Sequence, residues 1–272
     1  MRWTAFDADQ GQFLAQGVIF PFKWSNPVMQ PVSAFNRDGK NKAQSSAFSR
    51  DVQIPPLGLA GTLRHPAGAR ALVVFAHGSG SSRFSPRNVQ VAEALNRRRI
   101  ATLLFDLLLP EEEGDRRNVF DIRLLGGRLI DAVRWIIEEP DVGTLPVGLF
   151  GASTGAAAAL VAASLLGDRI GAVVSRGGRP DLAGSMLPQV KAPTLLIVGG
   201  ADTGVIELNQ WALERLGGEK SIEIVPGATH LFPEPGALEA VIELAAGWFE
   251  RHLAAETDHP TTGNRHSGDA GQ

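Results

Sequence analysis

The fold of this chain is decided at residues 147–155, Val147-Gly148-Leu149-Phe150-Gly151-Ala152-Ser153-Thr154-Gly155. The first four of these residues form an apolar run that predicts a buried strand, and the alanine-rich segment Thr154 to Leu166 predicts a helix. The Gly-x-Ser-x-Gly pattern between them is weak evidence by itself, because a chain with 31 glycines can contain it by chance. In a strand–turn–helix setting it predicts a sharp turn that exposes the hydroxyl of Ser153, a candidate nucleophile. The alternative is a serine that only caps the helix.

The same alternation of apolar runs and helical periodicity extends outward over residues 49–253. Short apolar runs predict strands at 72–76, 100–105, 147–150, 170–175, 194–198 and 221–225. Helical spacing of apolar residues predicts helices at 89–99, 121–139, 154–166, 207–216 and 237–252. Strands that are apolar throughout and separated by helices indicate the α/β class, with a mostly parallel central sheet and helices on both faces. Residues 50–54 and 59–64 predict an antiparallel hairpin ahead of that sheet.

The segments outside 49–253 differ from this pattern. Residues 1–48 lack sustained periodicity and predict an N-terminal extension of unknown role, with an exposed loop at 37–42. Residues 254–272 are small, polar and poor in apolar side chains, which predicts a disordered tail. The predicted organisation is therefore an extension, one α/β domain over 49–253, and a tail.

Composition narrows the classes of partner and cofactor. The net charge is −3, from 26 basic and 29 acidic residues, which gives no reason to expect nucleic acid or an anionic membrane as partner. The chain has no cysteine, so disulfides and thiolate chemistry are excluded, and its six histidines lack the paired spacing of a metal site. We therefore expect no metal or other cofactor. Acidic residues interrupt the N-terminal segment where a signal peptide needs an apolar core, and no apolar run is long enough to span a bilayer, so the expected location is cytoplasmic.

Two further residues extend the candidate site. Ligands of an open α/β sheet bind at the carboxyl ends of its strands, where Asp202 and His230 each follow a predicted strand. With Ser153 they run in the order Ser, Asp, His, about one strand–helix unit apart. This order predicts a catalytic triad, with Ser153 as nucleophile, His230 as base and Asp202 orienting the imidazole. The alternatives are a turn or capping role for Asp202, with Asp181 as the substitute acid, and a surface or capping role for His230.

Nucleophilic attack on an ester also needs two N–H donors for the developing oxyanion. One is expected from the backbone of Thr154, directly after the candidate nucleophile. The other is expected from the loop His77-Gly78-Ser79-Gly80, where small residues allow close approach of the backbone. We predict Ser79 as this donor, with Gly78 or Gly80 as alternatives. His77 lies at a strand end, and we expect it to make structural hydrogen bonds rather than to act as a base.

These motifs resemble the dienelactone-hydrolase-like branch of the α/β hydrolases. The resemblance covers about residues 49–253 and rests on His77-Gly78-Ser79-Gly80-Ser81-Ser82, Gly151 to Gly155, Gly199 to Asp202, and Thr229-His230. It implies the α/β-hydrolase fold and a triad of Ser153, Asp202 and His230. True dienelactone hydrolases use a cysteine nucleophile; Ser153 in that position favours a serine esterase over lactone hydrolysis by that route. Some similar domains are fused to phosphoribosyltransferases, for which this sequence carries no motif.

Three arginines are candidates for binding the substrate. Arg83 lies in the loop on the oxyanion side, and Arg176 and Arg179 follow the predicted strand 170–175. A guanidinium binds a carboxylate or phosphate through two parallel hydrogen bonds, which predicts a substrate-binding role. The alternative is an ion pair with nearby acids. The acidic run 111–113 is expected to be solvated.

Together these residues predict an enzyme that cleaves a small soluble carboxylic ester through an acyl-enzyme intermediate. A thioesterase or lactonase would use the same residues, so the sequence does not separate these activities. A non-catalytic binding protein of the same fold is the alternative from another class; it is disfavoured because it need not retain a triad and glycine-lined turns. The sequence gives no indication of oligomeric state.

Overall fold

The structure, a computed structural model, describes residues 46–253 and two short strands at 3–7 and 12–15. Contacts group the chain into two compact units, 1–42 and 43–272. The first unit contains β1 (Trp3–Asp7) and β2 (Gln12–Ala15), which pair antiparallel. No strand was predicted there, because residues 1–48 lack sustained periodicity in the sequence. The loop predicted at 37–42 and the tail predicted at 254–272 lie outside the described residues.

Eight strands form one mixed sheet in the second unit. Its hairpin, β3 (Phe48–Ile54) and β4 (Leu59–His65), is antiparallel, as the sequence predicts. The other strands are β5 (Ala71–Ala76), β6 (Ile100–Phe105), β7 (Val147–Ala152), β8 (Ile170–Arg176), β9 (Thr194–Gly199) and β10 (Lys220–Val225). The spatial order is β10-β9-β8-β7-β5-β6-β4-β3. Strand β4 is antiparallel to β6, and all neighbouring pairs from β6 to β10 in this order are parallel. The predicted α/β class with a mostly parallel sheet is confirmed.

Helices follow most of the parallel strands. They are α1 (Pro86–Arg97), α2 (Pro110–Glu113), α3 (Arg116–Val119), α4 (Ile122–Glu138), α5 (Thr154–Leu166), α6 (Thr203–Arg215) and α7 (Ala237–His252). The short helices α2 and α3 and the 3-10 helices Gly167–Arg169 and Pro180–Gln189 were not predicted, since one or two turns leave little periodicity. Helix α6 begins at Thr203, earlier than the predicted start at Glu207, because Asp202 occupies its N-cap position. None of the helices within the described residues has the length and apolar character needed to cross a membrane.

Alternate residues of each central strand enter different core layers. In β5, Leu72 and Val74 pack in the layer with α4 and α5, whereas Val73 and Phe75 pack in the layer with α1 and α7. Because helices cover both faces, the strand must be apolar at every position, which explains the continuous apolar runs in the sequence. The order in which strands are added to the sheet changes side at β5, because β6 lies on one side of β5 and β7 on the other. A crevice at the carboxyl ends of the strands is expected at such a reversal.

Candidate active site

Ser153 lies on a strained turn between β7 and α5. Its backbone has φ 51° and ψ −121°, and it is one of three non-glycine residues of the described chain with positive φ. Such a conformation costs about 1–3 kcal/mol and persists only where the surroundings enforce it. The hydroxyl of Ser153 does not cap α5, so the simple capping alternative does not account for this residue. The turn has the geometry that the sequence pattern predicts for a nucleophile.

The two glycines of the pattern make this turn possible. A Cβ at Gly155 would lie 2.5 Å from the carbonyl oxygen of His77, and one at Gly151 would lie 2.6 Å from the carbonyl oxygen of Gly155. Neither approach is compatible with a real side chain, because both neighbours are backbone atoms that cannot move aside. The turn of Ser153 therefore requires glycine at both positions. Gly78 approaches from the other side, where a Cβ would lie 3.0 Å from Cβ of Ser153.

Asp202 and His230 are hydrogen-bonded to each other at the same edge of the sheet. Asp202 follows β9 and His230 follows β10, and the distance from Nδ1 of His230 to Oδ2 of Asp202 is 2.7 Å. The Asp202 side chain makes no capping bond to α6, so its carboxylate is available to the imidazole. An ionised carboxylate can only accept, so the proton of this bond lies on Nδ1 and leaves Nε2 as the acceptor of the neutral ring. The hydrogen bonds within residues 46–253 do not include one between the Ser153 hydroxyl and this ring; such bonds often form only with substrate present.

Asp181, the alternative acid, has a different partner. Its carboxylate accepts two hydrogen bonds from Arg179, from Nε at 2.9 Å and from Nη2 at 2.8 Å. Arg179 therefore makes the ion pair that was the alternative to substrate binding. Of the two candidate acids, Asp202 is the one that contacts His230.

The loop that carries His230 is held by a residue that the sequence analysis did not identify. Glu234 accepts from the N–H of Thr229 at 3.1 Å and from its hydroxyl at 2.6 Å. The bond from the Thr229 hydroxyl is the main cause that lowers the pKa of Glu234. Next to His230, Phe232 has φ 55° and is buried, which anchors the turn in the core. The spacing of Thr229 and Glu234 was the available signal, but a glutamate in a surface loop is too common for that spacing to be informative.

The predicted oxyanion donors lie side by side. Thr154 is the first residue of α5, where a backbone N–H has no acceptor within the helix. The N–H of Ser79 donates to the side-chain oxygen of Thr154 at 3.0 Å. The structure thus brings together the two backbone segments proposed for the oxyanion hole.

His77 makes hydrogen bonds to the backbone through both ring nitrogens. Nδ1 lies 3.0 Å from the carbonyl oxygen of Gly78, and Nε2 lies 3.1 Å from the backbone nitrogen of Leu107. Because a carbonyl accepts and an N–H donates, the ring is neutral with its proton on Nδ1. Burial lowers the pKa of His77, which favours the same neutral form. These contacts agree with the structural role expected from the sequence.

Comparisons with known proteins identify the family of this chain. Residues 93–255 match the model of the dienelactone hydrolase family. The chain belongs to the dienelactone hydrolase family. A solved structure of a dienelactone hydrolase from Anabaena variabilis is 54% identical, with a TM-score of 0.74 over 77% of this chain and 99% of that one. This family is one of hydrolases.

More distant and longer relatives give different information. Est1E from Butyrivibrio proteoclasticus is 17% identical, with a TM-score of 0.64 over 76% of this chain and 99% of that one, and so shares the α/β-hydrolase fold. Two curated Mycobacterium tuberculosis proteins, from strains CDC 1551 and H37Rv, are each 61% identical over 205 residues, 75% of this chain. Their names propose phosphoribosyl transferase activity. This chain spans 46% of the length of either relative.

A cavity opens beside the loop from His77 to Gly80, which carries the predicted oxyanion donor Ser79. It has a volume of about 480 Å³ and is lined by Thr154 and by residues 77–82 and 84–86, but not by Arg83. The remaining lining residues are Leu107, Leu108, Glu113, Val119 and Leu125. Within the acidic run expected to be solvated, Glu113 thus lines the cavity, and Glu112 pairs with Arg128 at 2.9 Å. The cavity is in the size range of small-molecule sites.

The two other candidate arginines differ in their surroundings. Arg83 pairs with Asp106 through both its backbone N–H and its guanidinium, the ion pair that was the alternative to substrate binding. Arg176 is only 5% exposed, and its Nη2 donates to Oδ1 of Asn88 at 3.1 Å. Asn88, in the first turn of α1, was not identified from the sequence, because nothing near it in the chain indicates a contact with residue 176.

Proposed function

We propose that this hydrolase cleaves small carboxylic esters through an acyl-enzyme intermediate formed on Ser153. The observation that carries the proposal is the combination of a strained, uncapped Ser153 with a hydrogen-bonded Asp202–His230 pair at the same sheet edge. His230 takes the Ser153 proton on Nε2 as the oxygen attacks the ester carbonyl. Asp202 holds the ring in the tautomer that this transfer needs and stabilises the imidazolium that forms.

The leaving alcohol then receives the proton from His230. In the second half of the reaction, water replaces the alcohol, and the same histidine removes a proton from it. Attack on the acyl-enzyme releases the acid and restores the Ser153 hydroxyl. The N–H groups of Thr154 and Ser79 stabilise the oxyanion in both halves, and the oxyanion replaces the Thr154 hydroxyl as acceptor for Ser79.

The cavity beside Ser79 and Thr154 supports a small substrate. Its volume of about 480 Å³ and its leucine and valine walls suit an acyl or alcohol group of modest size. A thioester or lactone would engage the same groups, so these remain alternatives within one mechanism. For the M. tuberculosis relatives, we propose that the named transferase activity resides in the part of those proteins that this chain does not span.

The deciding experiment combines turnover with covalent labelling. Wild type, Ser153→Ala and Ser79→Ala are assayed with p-nitrophenyl acetate and longer acyl esters, and each is treated with a serine-reactive phosphonate. Wild type should turn over and label at Ser153, and Ser153→Ala should do neither. Ser79→Ala is the matched control, because it removes a hydroxyl from the same cavity but retains the backbone N–H. Labelling of Ser153→Ala would contradict the proposal, because the reactive nucleophile would then be another residue. Absence of both labelling and turnover in wild type would also contradict it and favour a binding protein.

A further inference from the structure

Arg176 is a buried cation without an acidic partner. Within residues 46–253, no carboxylate lies within 4 Å of its guanidinium; Oδ1 of Asn88 accepts from Nη2, and Nε is buried without a hydrogen bond. Arginine is rarely this buried unless it is paired, because an uncompensated buried charge costs several kcal/mol. The two other candidate arginines, Arg83 and Arg179, each pair with an aspartate. The environment of Arg176 therefore requires its own explanation.

A second cation and the N-terminal end of a helix lie near Arg176. Asn88 and Arg87 lie in the first turn of α1, and Nε of Arg87 is also buried without a hydrogen bond among the described residues. Burial first, and the nearby charge of Arg87 second, lower the pKa of Arg176 to about 10, so the guanidinium of Arg176 remains charged at neutral pH. The first turn of α1 contains no acidic residue, and Ser85 at its N-cap makes no side-chain capping bond.

The first turn of α1 adds backbone donors to these two cations. Pro86 has no N–H, and the N–H groups of Arg87 and Asn88 have no acceptor within the helix. The helix dipole also places partial positive charge at this end. Two guanidinium groups, free N–H groups and the positive end of a twelve-residue helix thus meet at one place that no described carboxylate neutralises.

We propose that Arg176, Arg87 and the N-terminal turn of α1 form a binding site for a small oxyanion. The ligand is a phosphate or carboxylate group, either free in solution or carried on a larger ligand. Guanidinium groups bind such planar or tetrahedral oxyanions through paired hydrogen bonds, and helix N-termini bind them through N–H groups. The site adjoins the turn of Ser153, whose N–H donates to the carbonyl oxygen of Arg176 at 3.3 Å. An occupant would therefore support the strand end next to the candidate nucleophile.

The test uses thermal unfolding of the full chain in a buffer low in anions. Inorganic phosphate should raise the melting temperature of wild type in a saturable manner, by about 2–4 °C at saturation, beyond chloride of equal ionic strength. Asn88→Asp places a carboxylate where the acceptor of Arg176 lies. This variant should melt above wild type without phosphate and lose most of the response to it. Arg134→Gln, which removes an exposed cation on α4, is the control and should respond as wild type does.

Arg87→Gln gives a second variant that does not disturb the buried Arg176. It should weaken the response to phosphate at least tenfold in concentration, as expected when one charged hydrogen-bonding partner is lost. A wild type that responds equally to phosphate and chloride overturns the site. So does a phosphate response that survives in both Asn88→Asp and Arg87→Gln, because the anion would then bind elsewhere. A melting temperature of Asn88→Asp below wild type also contradicts the need for a counter-charge.

Phosphorylated or carboxylated ligands are distinguished from free anion by a parallel assay. Wild type and Arg87→Gln are compared on p-nitrophenyl acetate and mono-p-nitrophenyl succinate. A rise in KM for the succinate ester alone assigns the site to an anion carried on the substrate. If the ratio of the KM values for the two esters is the same in both proteins, and the variant still loses the stabilisation by phosphate, the site binds a free anion. The phosphate response is measured without turnover, so failure of the site and failure of the proposed esterase activity are separate results.

Discussion

Two histidines at the same edge of the sheet have opposite surroundings. His77 follows β5, is buried, and uses both ring nitrogens in hydrogen bonds to the backbone. His230 follows β10; its side chain is 38% exposed, its Nδ1 is bonded to a carboxylate, and its Nε2 has no partner within residues 46–253. A ring with both nitrogens occupied fixes the backbone, whereas a ring with one oriented and one free nitrogen can move a proton. The partners of each ring, rather than its position after a strand, thus distinguish the structural His77 from His230, the histidine that we propose as the base.

The largest expected effect concerns His230. We expect His230→Gln to reduce kcat/KM for p-nitrophenyl acetate by about 10⁴–10⁶-fold, because the base is lost from a unit whose members act together. The melting temperature should change little, since the His230 side chain itself is partly exposed. Steady-state kinetics and thermal unfolding measure the two quantities. Activity above a tenth of wild type would remove His230 from the mechanism.

The second prediction compares the two candidate acids. We expect Asp202→Asn to lower kcat by about 10⁴-fold, because an amide in this position favours the wrong imidazole tautomer. Asp181→Asn is the matched control, with a loss of less than tenfold, since its carboxylate bonds to Arg179 and not to the histidine. Kinetics of both variants on one ester suffice. If the larger loss falls on Asp181→Asn, the alternative acid is the correct one.

The third prediction uses the lowered pKa of His77 and concerns stability rather than chemistry. Above the unfolded-state pKa near 6.5, the ring is neutral in both states, and the stability linked to it is fully present. Below that pH the unfolded chain binds a proton that the folded chain does not, so the free energy of unfolding falls until the lower folded pKa is reached. The slope is at most about 1.4 kcal/mol per pH unit.

Urea unfolding of wild type and His77→Gln between pH 7.5 and 5 measures this term. The variant should be less stable at pH 7.5, by about 1–3 kcal/mol, because the buried ring loses its backbone contacts. The difference between the two proteins should narrow as the pH falls. The negative charges of Asp106 and Glu113 raise the pKa of His77, but burial lowers that pKa by a larger amount. A difference that stays constant or widens at low pH would show that the ring is protonated in the fold.

The sequence predicted the sheet and the candidate site from local features. Strands and helices were identified because both faces of the sheet are covered, which leaves unbroken apolar runs, and Ser153 was identified because glycines enforce its turn. The contacts between distant segments were not predictable. Arg176 with Asn88 joins positions 88 residues apart, and no local pattern marks either as a partner of the other. The ion pairs of Arg83 and Arg179 were left open for the same reason, since a nearby acid in the chain does not fix the rotamer of an arginine.

The smallest expected effect tests how the loop of His230 is held. Glu234→Gln weakens the two hydrogen bonds to Thr229, because a neutral amide accepts less strongly than a carboxylate, while the volume of the side chain is unchanged. A weaker anchor should lower kcat by several-fold through a less well positioned ring, with KM nearly unchanged. Glu239→Gln, in the first turn of α7 and without a contact to Thr229, is the control. If the variant changes KM instead of kcat, Glu234 contacts the substrate rather than positioning His230. The loop of His230 would then differ from that of His77 in binding the substrate as well.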